Sequence, residues 1–302
     1  MSDFNWNDLR AFLAVARTGR LTGAAARAGM DHTTVGRRIA ALEAGLGARL
    51  FDRSPQGYAL TPHGERLMPT AEKIESLTLL AANELGEADQ ALSGTVRIGA
   101  PEGFGSYVLA PLMARLADRH PNLEIQLIAI SGVLSLSKRE ADIAITLSAP
   151  REGRLVSRRL TDYGLSLYAA PAYLDARPLI VSRGDMAGHR FIGYIGDLLY
   201  APELDYMSAP DVDIHVGLQS SNLIAQLQAC IAGAGLCVLP DFIAAREPSL
   251  RRVLPDAVHL ERSLWLVVHA DLRNLARIRA VTGMITEAVK ADRLLFAPPA
   301  PT

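Results

Sequence analysis

The chain contains 302 residues, of which 49% are hydrophobic and 21% are charged, and its formal net charge is −1. This length is too great for one small core and fits two or three domains. No apolar run reaches the roughly 18 to 20 residues that a membrane span requires, and the N-terminus lacks the apolar core of a signal peptide, so we expect a cytoplasmic protein without a membrane partner.

Residues 21–46 predict two short helices joined by a turn. Gly29 ends the first helix, because glycine readily adopts the left-handed conformation of helix C-termini, and Asp31 is the expected N-cap of the second. The second helix buries a stripe at helical spacing, formed by Val35, Ile39, Leu42 and Leu46. Its open face is polar and basic and carries His32, Thr33, Thr34, Gly36, Arg37 and Arg38. Such a face is typical of a helix in the DNA major groove, although a solvated three-helix unit shows the same pattern.

The flanking residues favour the DNA-binding interpretation. Residues 48–67 predict a strand, a turn, a return strand and a helix start at Thr61-Pro62, which together form a wing beside the recognition helix. Residues 1–62 contain eight arginines, no lysine and five acidic residues, a net charge of +3. Positive charge concentrated at one end is what a phosphate-binding module requires.

Residues 62–92 predict one long helix. Its apolar residues form a heptad seam, interrupted by Thr78, that comprises Leu67, Ala71, Ile74, Ala81, Leu85, Ala88 and Leu92. We expect this seam to pair with a second chain, although a helix folded back on its own domain would also show it. Pro69 lacks a backbone donor, so a kink or a new helix start is expected there, with Thr70 as the cap.

From Ser93 onwards, strands and helices alternate, which predicts α/β lobes. The predicted strands are GTVRIGAP, EIQLIAI, ADIAITL, GLSLYAA, HRFIGYI, DVDIHVGLQ, LCVLP and SLWLVVH. Helices are predicted through Leu109 and Leu116, over NLIAQLQACIAGAG, and from about Asn274 to Lys290. Two lobes joined by crossing strands form a cleft, and ligands bind there at strand ends and helix N-termini.

The N-terminal motifs occur together at fixed spacing, and through them the chain resembles the LysR-type transcriptional regulators. The matching residues are Trp6, Asp8-Leu9, Phe12, Val15, Ala24-Ala25, Val35, Arg37-Arg38-Ile39, Leu42-Glu43, Leu46-Gly47, Leu50-Phe51, Arg53, Gly57, Leu60-Thr61-Pro62 and Gly64. Weaker matches follow in order at 94–98, 139–145, 168–174, 233–240 and 264–267. The resemblance therefore covers the full length.

The resemblance implies an α/β protein overall, with three parts. These are a mainly α winged helix-turn-helix domain at 1–62, a linker and dimerisation helix at 63–92, and a two-lobed α/β effector-binding domain similar to periplasmic binding proteins at 93–302. Lobe I would comprise about 93–162 and 268–302, and lobe II about 163–267. The implied partners are a double-stranded DNA operator, a small-molecule effector and further copies of the chain, as a homodimer that assembles to a homotetramer. No cofactor is implied.

The candidate DNA contacts are Thr22, His32, Thr33, Thr34, Arg37, Arg38 and Arg53. His32 and Thr33 occupy positions where the family reads bases, and Arg37 can reach a guanine edge or a phosphate. Thr22 and Arg53 are expected phosphate contacts, although any single one fits a solvated side chain too. Gly36 replaces the serine that is usual in the family, and His32 replaces the usual glutamine. The bases that this helix contacts therefore cannot be inferred from relatives.

The candidate effector contacts are Ala100, Pro101, Phe104, Ser131, Thr146, Ser220, Ser221 and Asn222. They follow predicted strands in the two lobes, where free amides and hydroxyls can hold an anionic oxygen. Ser220, Ser221 and Asn222 are also good N-caps, so capping alone explains them as well. Thr146 replaces an arginine common in similar relatives, so the charge preference of the ligand is left open.

No catalytic or metal-binding motif stands out, so we expect no enzyme activity and no metal. Cys230 and Cys237 are most simply small buried hydrophobes, and a redox pair is the sharper alternative. The leading hypothesis is an effector-controlled regulator. Two other hypotheses remain: a DNA-binding protein with a vestigial cleft, and an enzyme or solute-binding domain fused to a DNA anchor.

Overall fold

The computed structural model describes residues 5–84, 92–132, 136, 140–150, 153–206 and 214–296, apart from the side chains of 79, 80 and 82–84. The chain divides into two compact units. One comprises Met1–Gln90 with Lys138–Glu140, and the other Ala91–Ser137 with Ala141–Thr302.

The N-terminal unit is a helical bundle with one hairpin. Its elements are α1 (Trp6–Thr18), α2 (Leu21–Ala28), α3 (His32–Leu46), β1 (Phe51–Ser54), β2 (Gly57–Leu60) and α4 (Pro62–Glu84). The strands pair antiparallel, which confirms the predicted wing. Gly57 adopts a φ of +136°, and a Cβ there would lie 2.4 Å from the carbonyl oxygen of Gly19, so only glycine fits this turn.

Local signals set the helix ends in this unit. Gly29 ends α2 in the left-handed conformation, and the Asp31 side chain caps α3 by accepting a hydrogen bond from the amide of Thr34. The predicted stripe of α3 packs into the core, because Val35, Ile39 and Leu42 are fully buried. The same core contains Leu9, Phe12, Val15, Leu50 and Phe51. Both helix-turn-helix predictions are therefore confirmed.

Helix α4 differs from its prediction in two ways. It runs unbroken through Pro69, so the new start with a Thr70 cap was wrong. Three apolar residues in the first half of α4 also pack against the core of the N-terminal unit: Leu67, Ala71 and Ile74. For these three residues the alternative of a helix folded back on its domain is correct. Leu85 and Ala88 lie outside the described residues.

The C-terminal unit alternates strands and helices as predicted. Its strands are β3 (Gly94–Pro101), β4 (Leu123–Ile130), β5 (Ile143–Thr146), β6 (Leu155–Ala169), β7 (Arg190–Gly193), β8 (His215–Gln219), β9 (Leu236–Pro240), β10 (Arg251–Val253) and β11 (His259–His269). Its α-helices are α5 (Glu102–Phe104), α6 (Ala110–Arg119), α7 (Pro171–Asp175), α8 (Leu223–Ile231), α9 (Asp241–Ala244), α10 (Ala276–Ala291) and α11 (Arg293–Phe296).

The sheet is mixed and follows the order β4-β3-β5-β11-β6-β9-β7-β8, with β10 paired to β6. Parallel pairs form its two ends, β3 with β4 and β5, and β7 with β8 and β9. The long strands β6 and β11 run antiparallel between these ends and join them. They are the crossing strands that the sequence predicted, and the two parallel ends correspond to two lobes.

The chain turns sharply from β3 into helix beside the cleft. Strand β3 ends at Pro101, and α5, a π-turn at Gly105–Leu109 and α6 follow without a break. Single π-turns inside helices occur frequently at functional sites. The residue that follows Pro101 is Glu102, whose side chain is described below.

Candidate functional site

The open face of α3 presents an exposed polar surface. His32, Thr33 and Arg37 are exposed, as is Thr22 at the start of α2. The Asp31 carboxylate organises the first turn, since it accepts hydrogen bonds from the Thr33 hydroxyl and, at 2.5 Å, from the Thr34 hydroxyl. These hydroxyls and the Thr34 amide hold the pKa of Asp31 well below its usual range. The helix therefore begins in one defined geometry, with His32 and Arg37 left to solvent.

Two predicted DNA contacts make ion pairs within the N-terminal unit. The Arg38 guanidinium lies 3.1 Å from the Asp8 carboxylate, and its side chain is only 28% exposed. Contrary to the expectation of an open arginine, Arg38 thus ties α3 to α1. Arg53 lies 3.3 Å from Glu43 and over the ring of Tyr58, but its side chain is 56% exposed, so it can exchange this pairing for a phosphate.

A cavity of about 280 Å³ opens at the carboxyl ends of β3 and β5 in the C-terminal unit. Three predicted effector contacts line it, namely Ala100, Pro101 and Thr146. Its walls are mostly apolar and include Leu136, Ala144, Ile145, Leu147, Leu155, Pro202 and Val267. Tyr200 and Glu203 supply polar atoms from the segment that follows β7. A few polar groups in an apolar cavity is the usual composition of a small-molecule site.

A second, smaller cavity of about 30 Å³ adjoins the first, because Pro101, Leu147 and Tyr200 line both. Two more predicted contacts, Phe104 and Ser131, lie here. Aromatic side chains from several elements surround it: Phe104, Tyr163, Tyr194, Tyr200, Tyr206 and Phe242. Burial, followed by the charge of Glu102, raises the pKa of Tyr200 to about 12, so this phenol is neutral at physiological pH.

The remaining predicted contacts line neither cavity. Asn222 caps α8, since its side-chain oxygen accepts a hydrogen bond from the Ala225 amide at 2.8 Å. Ser220 supports the same turn by accepting from the Asn222 amide at 3.1 Å, and Ser221 is exposed. The capping alternative therefore accounts for Asn222, and ligand contact by the two serines stays a prediction.

Comparisons with known proteins match both the N-terminal and the C-terminal part of the chain to families. Residues 6–65 match the family described as "Bacterial regulatory helix-turn-helix protein, lysR family". Residues 89–290, about two thirds of the chain, match the "LysR substrate binding domain". The chain belongs to the LysR family. It is thus a transcriptional regulator of the LysR type, with an N-terminal DNA-binding part and a C-terminal effector-binding domain.

Individual LysR-family proteins match along most of the chain. The HTH-type transcriptional regulator CrgA of Neisseria meningitidis serogroup C is 26% identical over 83% of this chain and 84% of its own length. The regulator PtxR of Pseudomonas aeruginosa is 28% identical over 84% and 83%. Among solved structures, the full-length Vibrio cholerae virulence activator AphB has a TM-score of 0.59 at 25% identity, covering 93% of this chain and 98% of AphB.

Sequence reasoning missed the acidic side chain at the centre of this LysR-type cleft. Glu102 accepts hydrogen bonds from the Ser131 hydroxyl at 3.0 Å and from the side-chain amide of Asn222. Ser131 follows β4 in one lobe, whereas Asn222 precedes α8 in the other, so the carboxylate links the two lobes. Its place directly after Pro101 was the one signal available in the sequence. The tyrosines around it gave none, because they are scattered from 163 to 206.

Two other features of the described residues bear on function. No described helix is both long and apolar enough to cross a bilayer, and the described part of the chain holds no cluster of three or more metal-ligating side chains. Cys230 and Cys237 are both free and buried. Burial raises the pKa of the Cys230 thiol to about 12, and that of Cys237 is raised as well. A redox role is disfavoured, because the reactive thiolate is suppressed in both.

Proposed function

We propose that this LysR-type regulator reads its operator with the leading end of α3. His32, Thr33 and Arg37 would contact base edges, while Thr22 and Arg53 would hold phosphates. The observation that carries this proposal is the exposed polar face of a helix whose opposite face is buried in the core. Thr34 and Arg38 act indirectly in this proposal, by fixing the start of α3 and its position on α1.

The neighbouring arginines of α3 provide a sharp test. Arg37 is exposed, whereas Arg38 pairs with Asp8. We expect Arg37→Ala to weaken binding to operator DNA about tenfold or more, to lower the slope of log affinity against log salt, and to leave the melting temperature unchanged. Arg38→Ala should instead lower the melting temperature, because it leaves the Asp8 carboxylate without its partner.

The measurements are gel shifts with genomic operator fragments at several salt concentrations, together with thermal denaturation. Arg115→Ala on α6 removes the same charge from an exposed site of the C-terminal unit and serves as the control. Equal DNA binding by Arg37→Ala and wild-type protein would contradict the assignment of α3 as the reading helix. Absence of any sequence preference in the wild-type protein would contradict the proposal as a whole.

We also propose that a small metabolite binds in the 280 Å³ cavity and shifts the population of lobe arrangements, which then alters DNA binding or bending. The cavity is close in size to known small-molecule sites, which favours a working effector site over a vestigial cleft. A ligand at 100 times its dissociation constant would raise the free energy of unfolding by about 2.7 kcal/mol. Thermal-shift screening measures this directly.

The proposal includes self-association and excludes catalysis. The chain would act as a homodimer, assembling to a homotetramer, because one recognition helix contacts few base pairs while two read a spaced, roughly palindromic site. Two relatives that match 83% and 84% of this chain are named transcriptional regulators, and the cleft would serve binding alone. A DNA-bound regulator of this kind would work in the cytoplasm.

A further inference from the structure

We infer that the effector carries a primary ammonium group, and that Glu102 is the counter-ion that receives it in the small cavity. This inference rests on the proposed effector site and names the chemical class of its ligand. It departs from the expectation that this junction holds an anionic oxygen. The reason is that the structure already places a carboxylate of the chain itself at that position.

The hydrogen bonds of Glu102 disfavour an anionic ligand. Its two carboxylate oxygens accept from Ser131 and Asn222, which are the donors that the sequence assigned to an anion. A second carboxylate would find these donors occupied and would be repelled by the negative charge beside them. A positively charged ligand would instead be attracted by Glu102, whose carboxylate is held in position by the hydrogen bonds from Ser131 and Asn222.

No cationic side chain neutralises Glu102 within the described part of the cleft. Both donors to Glu102 are neutral, and the described residues lining the two cavities include no lysine, arginine or histidine. Arg262 in β11 lines neither cavity, and its guanidinium donates hydrogen bonds to the main-chain oxygens of Glu203 at 3.1 Å and Glu261 at 3.0 Å rather than to Glu102. Among the described residues, Glu102 thus has no cationic hydrogen-bond partner, and a bound cation would supply one.

A second acidic group strengthens the negative potential. Glu203 lines the larger cavity, and its Oε2 atom is buried without a hydrogen-bond partner among the described residues. Because this oxygen has almost no accessible surface, a ligand in the cavity meets the charge of Glu203 rather than a free acceptor atom. This second acidic group is independent of the bonds that hold Glu102, and its negative charge also favours a cationic ligand over an anionic one.

The aromatic lining completes a site for a cation. Four of the eight tyrosines in the chain, Tyr163, Tyr194, Tyr200 and Tyr206, converge on the small cavity. Ring faces attract a cation through their quadrupole, and neutral phenol oxygens accept hydrogen bonds from an ammonium group. The ring centroids of Tyr194 and Tyr206 lie 5.9 Å apart in an edge-to-face arrangement, so the two rings are already packed in place.

The two volumes define the shape of the ligand. A cavity of about 30 Å³ has room for about two water molecules, which is enough for a primary ammonium group but too small for the four alkyl groups of a quaternary one. The adjoining cavity of about 280 Å³ has apolar walls and accommodates a hydrocarbon or aromatic body. The geometry therefore fits an alkyl or arylalkyl primary amine, with its charged end at Glu102.

The test compares three matched ligands on the full-length protein. 2-Phenylethylamine is the probe, 2-phenylethanol is its neutral counterpart and 3-phenylpropanoate its anionic one. We expect 2-phenylethylamine to raise the melting temperature and to bind measurably in calorimetry, and the other two to do neither. Tetramethylammonium should also fail, because it exceeds the small cavity. Binding of the carboxylate or the alcohol as tightly as the amine would overturn the inference, and so would equally tight binding of tetramethylammonium.

Glu102→Gln tests the assigned counter-ion. Glutamine keeps one oxygen that accepts from the Asn222 amide, and its NH2 group can donate to the Ser131 hydroxyl, so the fold should persist while the loss of charge lowers amine affinity at least tenfold. Glu287→Gln on α10 removes one charge from an exposed site and should change nothing. Unchanged amine affinity in Glu102→Gln protein with a wild-type melting temperature would overturn the assignment.

The same preparations separate this inference from the proposed function. Operator binding in gel shifts reports on α3 and does not depend on the ligand class. If the protein binds its operator and a screened acid stabilises it while no amine does, then the ammonium inference fails and the regulator proposal stands. If operator binding is absent, the proposed function fails independently of the amine result.

Discussion

At Gly36 in α3 the structure has room for a larger side chain than that of glycine. A Cβ built there would meet only the Cδ1 atom of Leu21, at 3.7 Å, which is ordinary van der Waals contact. Gly57, in contrast, has both a left-handed backbone and a carbonyl oxygen in the way. Two glycines that look alike in the sequence therefore differ in consequence, because their backbone conformations and neighbours differ.

We expect Gly36→Ala to raise the free energy of unfolding by about 0.5–1 kcal/mol, since alanine loses less backbone entropy in a helix interior. Urea denaturation measures this change. Gly57→Ala is the matched control and should destabilise the protein, because its Cβ collides with Gly19. A loss of stability in Gly36→Ala protein would contradict the contact geometry of α3.

At the scale of elements, a partly buried ion pair connects α1 to α4. The Arg17 side chain is 4% exposed, and its guanidinium forms a fork with the Glu75 carboxylate at 3.1 and 2.8 Å. Glu72 lies 3.9 Å from the same guanidinium. The pair explains why the first half of α4 lies on its own unit, since polar bonds reinforce the apolar contacts of Leu67, Ala71 and Ile74.

We expect Arg17→Met to lower the free energy of unfolding by about 1–3 kcal/mol, because it removes the charged hydrogen bonds that Arg17 donates to the half-buried Glu75 carboxylate. Arg10→Met on the exposed side of α1 should change stability by less than about 0.5 kcal/mol. Chemical denaturation of the two variants, followed by circular dichroism, measures the difference. Similar stability of both variants would show that the Arg17 pair contributes little.

At the scale of the whole molecule, the surface available for dimerisation is narrower than the heptad seam suggested. Residues of the seam in the first half of α4 are used internally, whereas Leu77 is 64% exposed. The Thr78 hydroxyl bonds to the Ile74 carbonyl within the helix at 2.8 Å and so adds no apolar contact. The proposed dimer would therefore use the second half of the helix, beginning near Leu77.

We expect Leu77→Glu to shift the protein from dimer to monomer at micromolar concentration, because it places a charge in an apolar interface. The shift should weaken binding to a two-site operator and leave the melting temperature little changed. Leu294→Glu is the control, since Leu294 is 91% exposed in the C-terminal unit. Light scattering coupled to size exclusion gives the mass, and an unchanged dimer in Leu77→Glu protein would exclude this part of α4 from the interface.

The sequence by itself determined the order and type of most elements, the wing and the open face of α3. These features depend on local periodicity, caps and turn residues, which act within a few positions of the chain. It also indicated the cleft, because Ala100, Pro101 and Thr146 end adjacent strands, and strand ends of a parallel sheet meet at one edge.

Only the tertiary structure decided which polar groups are free. Arg38 bonds to Asp8, which lies 30 residues away in the sequence, and is therefore not free on the open face of α3. Glu102 bonds to Asn222, which lies 120 residues away. Such pairings depend on how distant elements pack, and no local pattern records them. The side chain that sets the charge of the cleft therefore became visible only after the two lobes were in place.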